Sequence, residues 1–185
     1  MRKVALCGFG ETWREAPYDD PSVTIVGLNE LYKYIPRWDE WVEIHDEDSL
    51  GLTDRAAPGQ VLAEIQKHRA WLEQPHVGQV IWMQDRFCDS RFPAAQPFPL
   101  AELRQRFGAF FGAQDWTYFT STVALMLAQH IARGRDAQFR PVSGDAAKEI
   151  GLYGIELVGA GEYERQRPCA EHLIGFAQGL GIRVT

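Results

Sequence analysis

The chain has 185 residues, with 19 Lys and Arg against 25 Asp and Glu, so its formal net charge is −6. Apolar residues make up 45% and charged residues 24%, a normal globular mixture that excludes a disordered tail, a collagen-like chain and a coiled coil. The length fits one domain over residues 1–185. The acidic balance argues against a protein that coats duplex nucleic acid, whereas a small anionic ligand is compatible with a local positive site.

Neither a leader nor a membrane segment is predicted. The first apolar run ends at Gly8, which is too short for a signal peptide, and no run approaches the ~20 apolar residues of a membrane span. Cys7, Cys88 and Cys169 lie far apart and form no Cys-x-x-Cys pair. We therefore expect reduced thiols, rather than a disulfide framework or a zinc knuckle, in a cytoplasmic protein.

Strands and helices alternate along the chain. Strands are predicted at residues 3–7, 23–26, 38–44, 80–83, 149–157 and 182–184. Helices are predicted at residues 60–72, 100–111, 122–132 and 168–179, with short helical turns at 11–16 and 30–34. The proline-rich residues 93–99 predict a loop, and residues 133–147 predict a surface excursion. The alternation predicts a Rossmann-like three-layer α/β/α sandwich with a mostly parallel sheet.

Ligands of such sheets bind beyond the carboxyl ends of the strands, so polar residues and glycines in these positions are candidates. Gly8, Gly10 and Thr12 follow the first strand. They form half of a dinucleotide fingerprint, in which glycines let backbone N–H groups approach a phosphate, but Trp13 stands where the third glycine belongs. A tight strand-to-helix turn is the alternative interpretation. Asn29, after the second strand, is a further ligand-binding candidate.

Three ionisable residues, Glu43, His45 and Asp46, end the third strand. Residues 43 and 45 point to the same side of a strand, and a carboxylate beside an imidazole can perform general acid–base chemistry or bind a divalent ion. A solvated strand end is the alternative. The spacing matches no firm metal signature, so no metal ligand is assigned. The cofactor is left open, with Mg²⁺ as one candidate.

The apolar helix at residues 122–132 is preceded by a row of hydroxyl groups on Thr120, Ser121 and Thr122. Ser or Thr is the usual N-cap of a helix, and the same arrangement can hold a phosphate. Both interpretations stay open. Tyr118, just before this row, is a candidate for stacking on a nucleobase, with a place in the core or in a lid as the alternative.

A polar segment of both charge signs, predicted as a loop, precedes the last helix, whose first turn begins at Pro168. Arginines here suit an anion, and carboxylates suit ribose hydroxyls. The ligand-binding candidates of this region are Glu156, Glu162, Tyr163, Arg165, Gln166 and Arg167. Glu171, in the first turn of the predicted helix, is a catalytic candidate. Solvated charges with a carboxylate that favours the helix dipole are the alternative.

Several motifs together resemble a family of uncharacterised Rossmann-like proteins common in bacteriophage genomes. The most specific is E-Y-x-x-Q-R-P, which reads Glu162-Tyr-Glu-Arg-Gln-Arg-Pro168. The others are Gly8-Phe-Gly-Glu-Thr12, Ala16-Pro-Tyr-Asp-Asp-Pro21, Val26-Gly-Leu-Asn29, Trp41-Val-Glu-Ile-His45, Tyr118-Phe-Thr-Ser-Thr122, Gly154-Ile-Glu-Leu157 and a helix from Glu171 to Ile182. The resemblance covers nearly the whole chain and implies a Rossmann-like fold and, for a phage protein, the host cytoplasm.

More distantly, the Gly-x-Gly start and the Thr-Ser helix followed by Gly154-Ile-Glu-Leu157 are similar to bacterial sialyltransferase-like and 6-hydroxymethylpterin pyrophosphokinase-like proteins. Both groups bind nucleotides at the equivalent place. The last helix is also similar to that of nucleoside deoxyribosyltransferases, which carries a Glu before a G-x-A-x-x-x-G pattern. Glu171 matches that Glu. These similarities imply a nucleotide-derived ligand, with Glu171 as a nucleophile or a ribose contact.

These features lead to three functional hypotheses. The first is a transferase or hydrolase that acts on a nucleotide, nucleotide sugar or nucleoside, with His45 and Glu43 as an acid–base pair. The second is a protein that binds a nucleotide without turnover and sequesters a signal used in host defence. The third is a protein-interaction module. The expected partner is a small nucleotide-like ligand, without duplex nucleic acid or membrane, and a homodimer is considered because such domains often pair.

Overall fold

The computed structural model describes residues 1–53, 61–113, 116–156 and 162–185. Within these ranges, seven strands form one sheet in which every neighbouring pair is parallel. The strands are β1 Arg2–Cys7, β2 Val23–Leu28, β3 Glu40–Glu43, β4 Val80–Met83, β5 Ala95–Pro97, β6 Ala147–Tyr153 and β7 Arg183–Val184. The helices are α1 Leu62–Leu72, α2 Leu100–Phe111, α3 Thr122–Ala132 and α4 Glu162–Gly179, with 3-10 helices at Glu11–Glu15, Leu31–Lys33 and Asp85–Phe87.

The strand order, β5-β4-β3-β2-β1-β6-β7, reverses at the middle of the sheet. The chain builds outward from β1 to β5 on one side, and then returns to add β6 and β7 on the other side. Ala5 of β1 accordingly lies between Ile25 of β2 and Gly151 of β6. The connections after β1 and β6 leave in opposite directions, so a crevice is expected at the carboxyl ends of these two strands.

A hydrophobic core on each face of the sheet holds the layers together. Successive residues of a strand point to opposite faces. Leu6 and Val26 pack in the core formed with α2, α3 and α4, whereas Ala5 and Ile25 pack in the core that includes Leu72 of α1. The predicted Rossmann-like α/β fold is confirmed. None of the helices in the described ranges has the length and apolar character needed to cross a membrane.

The last helix begins earlier than predicted, at Glu162 instead of Pro168. Pro168 therefore lies inside α4, where it lacks the N–H that would bond to the carbonyl of Glu164. The prediction of a loop before residue 168 is wrong for residues 162–167, so Arg165 lies in the helix. Glu171 lies in a later turn and not in the first. A proline suits a helix start, but here it interrupts the hydrogen-bond ladder of a helix that has already formed.

Two other segments differ from the prediction. Residues 93–99 contain β5, which is an edge strand and therefore tolerates Pro97. Residues 133–147 are a surface excursion only in part: residues 137, 138 and 140–145 are exposed, but Phe139 between them is buried, with its ring centroid 4.9 Å from that of Phe107. Arg106 of α2 secures the start of this segment by donating to the carbonyl of Ala132 at 2.9 Å, which stabilises the carboxyl end of α3.

Candidate functional site

A cavity of about 700 Å³ opens where the sheet reverses, beyond the carboxyl ends of β1 and β6. We call it the main cavity. Its described lining residues are Gly8, Phe9, Gly10, Leu28, Asn29, His45, Thr120, Ser121, Thr122, Val123, Gly154, Ile155, Glu156 and Gln166. The lining thus combines glycine backbone, hydroxyl groups, an imidazole and a few apolar side chains. Both the position and the volume suit a ligand of nucleotide size.

Three glycines bring the loops after β1 and β6 into direct contact. Gly154 has a φ of +66°, and a Cβ there would lie 2.5 Å from the carbonyl oxygens of Gly8 and Gly10. The N–H groups of Gly8 and Gly10 donate to the carbonyls of Tyr153 and Gly154, each at 2.8 Å. The Thr12 hydroxyl accepts from the N–H of Gly154 at 2.7 Å. These groups are engaged by the protein itself, so the Gly-Phe-Gly turn shapes the cavity wall.

The amino end of α3 presents unpaired N–H groups at the main cavity. Ser121 is the N-cap, and its Oγ accepts from the N–H of Ala124 at 3.1 Å. Among the hydrogen bonds of the described residues, none uses the N–H of Thr122 or Val123, and both residues line the cavity. Free N–H groups at the positive end of a helix dipole favour an anionic group. This is the position in the cavity that best suits a phosphate.

Asn29, directly after β2, combines an uncommon backbone with an unsatisfied side chain. Its φ of +53° is left-handed, a conformation that few residues other than glycine adopt. Its carbonyl accepts from Nε1 of Trp41 at 3.1 Å. Its side-chain Oδ1 is buried and has no hydrogen-bond partner among the described residues. A hydroxyl or amino group of a ligand in the cavity would satisfy this oxygen.

His45 is held by a buried carboxylate. Glu43, at the end of β3, is fully buried and bonds to Nδ1 of His45 and, at 2.8 Å, to Nε2 of His68. An ionised carboxylate only accepts hydrogen bonds, so both nitrogens donate, and the neutral His45 ring keeps a lone pair on Nε2. Gln84 fixes the local backbone, because its Nε2 donates to the carbonyls of Ile44 and His45, each at 2.9 Å.

Electrostatics make this pair suited to proton transfer. Burial by itself raises the pKa of Glu43, but the hydrogen bonds from His45 and His68 outweigh it and hold that pKa at about 2. The hydrogen bond to Glu43 raises the pKa of His45 above its ordinary value, against the opposing effect of burial. Glu43 is therefore ionised at neutral pH and makes His45 a stronger base. The His45 side chain is 37% exposed, so a ligand can reach it.

His45 also borders a second cavity of about 380 Å³, which lies between the loop after β3 and α1. We call it the second cavity. It shares Phe9, Asn29 and His45 with the main cavity. Its other described lining residues are Glu30, Ser49, Val61, Glu64, Ile65 and His68. His45 thus stands between two cavities.

The structure brings several of the remaining predicted residues to the main cavity. Glu156, Thr120 and Gln166 line it. The Thr120 hydroxyl donates to the backbone carbonyl of Gln166 at 3.3 Å, which joins the approach to α3 to the first turns of α4. Their contact with a ligand stays a prediction.

Other predicted residues lie elsewhere. Arg167 and Glu171 form an exposed ion pair on α4, with Nε and Oε1 2.7 Å apart, beside a separate cavity of about 370 Å³. Tyr118 and Arg165 are exposed, and neither lines the described part of the main cavity. The side chains of Glu162 and Tyr163 lie outside the described residues. The structure therefore does not bring Glu171 together with His45.

Phe9, Gly154 and His68 belong to the site although no prediction assigned them to it. Phe9 lies between the two fingerprint glycines and is 51% exposed. His68 falls on the apolar side of the helix predicted at residues 60–72 and is buried. A buried histidine needs a polar partner, so its position on the apolar side of the helix was the signal from which a polar contact in the core could have been predicted. The partner itself, on another strand, could not be identified from the sequence.

Metal ligands are not clustered in the part of the chain that the structure describes. Within it, no group of three or more His, Cys, Asp or Glu side chains is arranged to hold a metal ion. Glu43 and His45, for which divalent-ion binding was one interpretation, bond to each other. A requirement for Mg²⁺ stays a prediction.

The fold is similar to that of the sialyltransferase CST-II, whose crystal structure contains a trisaccharide acceptor and CMP. The TM-score is 0.50 with 14% sequence identity, and the similarity covers 99% of this chain and 79% of that chain. No protein-family model and no curated protein matches the sequence. The predicted similarity to sialyltransferase-like proteins is thus confirmed for the fold, whereas the relation to phage proteins stays a prediction.

Proposed function

We propose that this protein is a nucleotide-dependent transferase whose reaction takes place at His45 in the main cavity. The observation that carries the proposal is the His45 imidazole, paired with the buried Glu43 carboxylate, at the edge of a cavity of about 700 Å³. Such a pair is suited to take a proton from a hydroxyl group. The similarity in fold to an enzyme crystallised with CMP supports a nucleotide as the donor.

The main cavity favours a nucleotide with a single phosphate. Its described lining contains no Lys or Arg, and the groups that suit an anion are the N–H groups of Thr122 and Val123. A diphosphate or triphosphate usually needs arginine, lysine or a metal ion to balance its charge. One phosphate matches the amino end of α3. Asn29 Oδ1 would accept from the sugar or the base, so a nucleoside monophosphate sugar is the donor class that we favour.

The reaction that we propose is transfer of the sugar to an acceptor hydroxyl. The hydroxyl oxygen forms a bond to the anomeric carbon, and the bond from that carbon to the phosphate oxygen breaks. The electron pair leaves with the nucleoside monophosphate, and the hydroxyl proton passes to Nε2 of His45. Glu43 stabilises the imidazolium that forms, as a buried carboxylate does for a catalytic histidine.

The first test is ligand binding. Thermal shifts and calorimetry with CMP, UMP, AMP, CDP, a CMP-sugar, a UDP-sugar and NAD, each with Mg²⁺ or EDTA, should give the largest stabilisation with a monophosphate. A ligand at about 100 times its dissociation constant adds about 2.7 kcal/mol to the free energy of unfolding. If none of these compounds changes the melting temperature or releases heat, the main cavity is not a nucleotide site.

The second test separates turnover from binding. His45→Gln should lower nucleotide release from the CMP-sugar by about 10²–10⁴-fold, because the base is lost, while CMP affinity changes little. His172→Gln is the matched control, since His172 is exposed on α4 and lines neither cavity. Tight binding with no product from any donor would favour the sequestering protein over the transferase.

A further inference from the structure

We propose that the second cavity binds the acceptor, and that the acceptor is a neutral molecule rich in hydroxyl groups. This inference rests on the proposed transferase function. A transferase must bring two substrates to one reacting position. His45 lines both cavities, and of the three residues that they share it alone carries a titratable group. A donor in the main cavity and an acceptor in the second cavity would therefore meet at the His45 ring.

The chemistry of the second cavity indicates the class of acceptor. Its described lining has carboxylates on Glu30 and Glu64 and a hydroxyl on Ser49, but no Lys or Arg. An anionic acceptor would find no free cationic side chain in this lining, because the nearby Lys33 and Lys67 are already paired with Glu30 and Glu64. The hydroxyl groups of a neutral acceptor can donate to the same carboxylates. The lining therefore favours a neutral acceptor over an anionic one.

An ion pair network keeps these carboxylates in place. Lys33 Nζ lies 2.9 Å from Oε1 of Glu30 and 3.0 Å from Oε2 of Glu64, so it links the start of a 3-10 helix to α1. Lys33 is not itself part of the lining. The exposed pairs contribute little to stability, but they hold the two carboxylates close together at the second cavity.

Apolar surface completes a site that suits a sugar. Phe9 is 51% exposed and Val61 is 64% exposed, and both line the second cavity. An exposed aromatic ring can cover the C–H face of a sugar, while the hydroxyl groups of the sugar reach polar side chains. The volume of about 380 Å³ accommodates one or two sugar rings.

The decisive variant is Val61→Trp, which places a larger side chain at the second cavity and changes no residue that lines the main cavity. Val77→Trp is the matched control, because Val77 is 91% exposed and lines neither cavity. CMP affinity should stay within about twofold in both variants. Release of CMP from a CMP-sugar should depend on added lactose in the wild type and in V77W, and this dependence should fall by at least about tenfold in V61W. Hydrolysis without lactose should not change.

The preference for a neutral acceptor can be tested separately. Lactose should be a better acceptor than sialyllactose, which carries a carboxylate, and the double variant Glu30→Gln with Glu64→Gln should reduce the difference. Equal transfer to lactose by V61W and the wild type would overturn the assignment of the cavity. A preference for sialyllactose in the wild type would overturn the neutral class.

Binding of an acceptor to the second cavity can also be measured without turnover. Lactose, methyl glucoside or glycerol should shift the NMR signals of the His45 ring in the wild type and in V77W, and not in V61W. If none of the three shifts these signals in the wild type, the second cavity is not the acceptor site. Failure of every nucleotide to bind would instead overturn the proposed function, so the two failures are distinguishable.

Discussion

The two ends of β3 carry the same residue type in different surroundings. Glu40 begins this four-residue strand and Glu43 ends it, and both are buried. Glu40 accepts from Arg2 at 3.1 Å, from both terminal nitrogens of Arg133 at 2.6 and 2.9 Å, and from Trp82 at 2.8 Å. Among the hydrogen bonds of the described residues, those that Glu43 accepts come from His45 and His68. One glutamate is surrounded by fixed charges, and the other by groups that exchange protons.

This difference separates a structural cluster from a reactive one. Burial raises the pKa of Glu40 and lowers that of the nearby His130 to about 3, so the charges that keep Glu40 ionised at neutral pH are those of Arg133 and Arg2; the pKa of Glu40 is about 2. The pKa of Glu43 is also about 2. Both carboxylates are therefore ionised at neutral pH, yet among the described residues that bond to them His45 alone borders both the main cavity and the second cavity. A low carboxylate pKa therefore does not by itself indicate a catalytic site. What matters is whether the group bonded to the carboxylate can exchange a proton, as histidine can and arginine cannot.

Removing the structural carboxylate should have the largest effect on stability. Glu40→Gln leaves Arg2 and Arg133 with an uncompensated, largely buried charge, so we expect the free energy of unfolding to fall by about 3 kcal/mol in urea denaturation. Glu73→Gln is the control, because its pair with Arg69 is exposed and should contribute less than about 0.5 kcal/mol. CMP affinity should not change. A fall no larger than that of the control would mean that the cluster is not a structural anchor.

The contribution of Glu40 to the free energy of unfolding should also be lost at low pH. Because the pKa of Glu40 is about 2 in the folded state, against 4.5 ordinarily, its contribution is complete above pH 4.5 and is lost as the pH falls toward 2. Between pH 7 and pH 3 the wild type should lose about 2 kcal/mol that Glu40→Gln does not lose. Urea denaturation at both pH values measures this difference. Parallel pH dependences in the two proteins would contradict it.

At the other end of β3, substitution of Glu43 should lower the rate of the proposed reaction. Glu43→Gln removes the charge that raises the pKa of His45, so the acidic limb of the pH–rate profile should move to lower pH. The rate at neutral pH should fall by about tenfold or more, because an amide can hold the ring in the wrong tautomer. NMR titration of the His45 ring checks the shift independently. An unchanged titration would mean that Glu43 does not control His45.

The smallest effect is expected on α4. Arg167→Ala and Glu171→Gln break an exposed pair, so each should change the free energy of unfolding by less than about 0.5 kcal/mol. Turnover should stay within about twofold, because neither residue lines the main cavity. A large loss of turnover in Glu171→Gln, with normal CMP binding, would instead establish the catalytic role that the sequence resemblance implied.

The fold was largely predictable because its local signals agree with its tertiary structure. The first strand is a short apolar run ended by Gly8, and the helix at Thr122–Ala132 has a serine cap and a continuous apolar run from Val123 to Ala128. The strand at Ala95–Pro97 was not predictable, because it depends on pairing with β4 and contains a proline. The start of α4 was predicted too late because it was placed at Pro168. Proline is found both in the first turn of helices and where helices are interrupted.

Several residues of the candidate site were predictable from the sequence, but the contacts between residues distant in sequence were not. The spacing of Glu43 and His45 placed them on the same side of a strand, and they do bond. His68 completes this pair from α1, a contact between residues distant in sequence that no local pattern encodes. The Gly-Phe-Gly turn was predicted as a phosphate loop or a tight turn. The amides of Gly8 and Gly10 bond to the last residue of β6 and to the first residue after it, which only the sheet order could reveal.

The packing behind His68 also makes the protein optically informative. Trp71 stacks on Tyr32 with ring centroids 4.0 Å apart, contacts the rings of Trp38 and Trp41 at 5.4 and 5.1 Å, and lies 6.0 Å from the His68 ring. Indoles this close exchange excitation energy, so they absorb and emit as a coupled group. Their emission and circular dichroism should respond to movement of α1 against β3. The protein therefore carries an unlabelled fluorescence reporter directly behind the Glu43 carboxylate that bonds to His45.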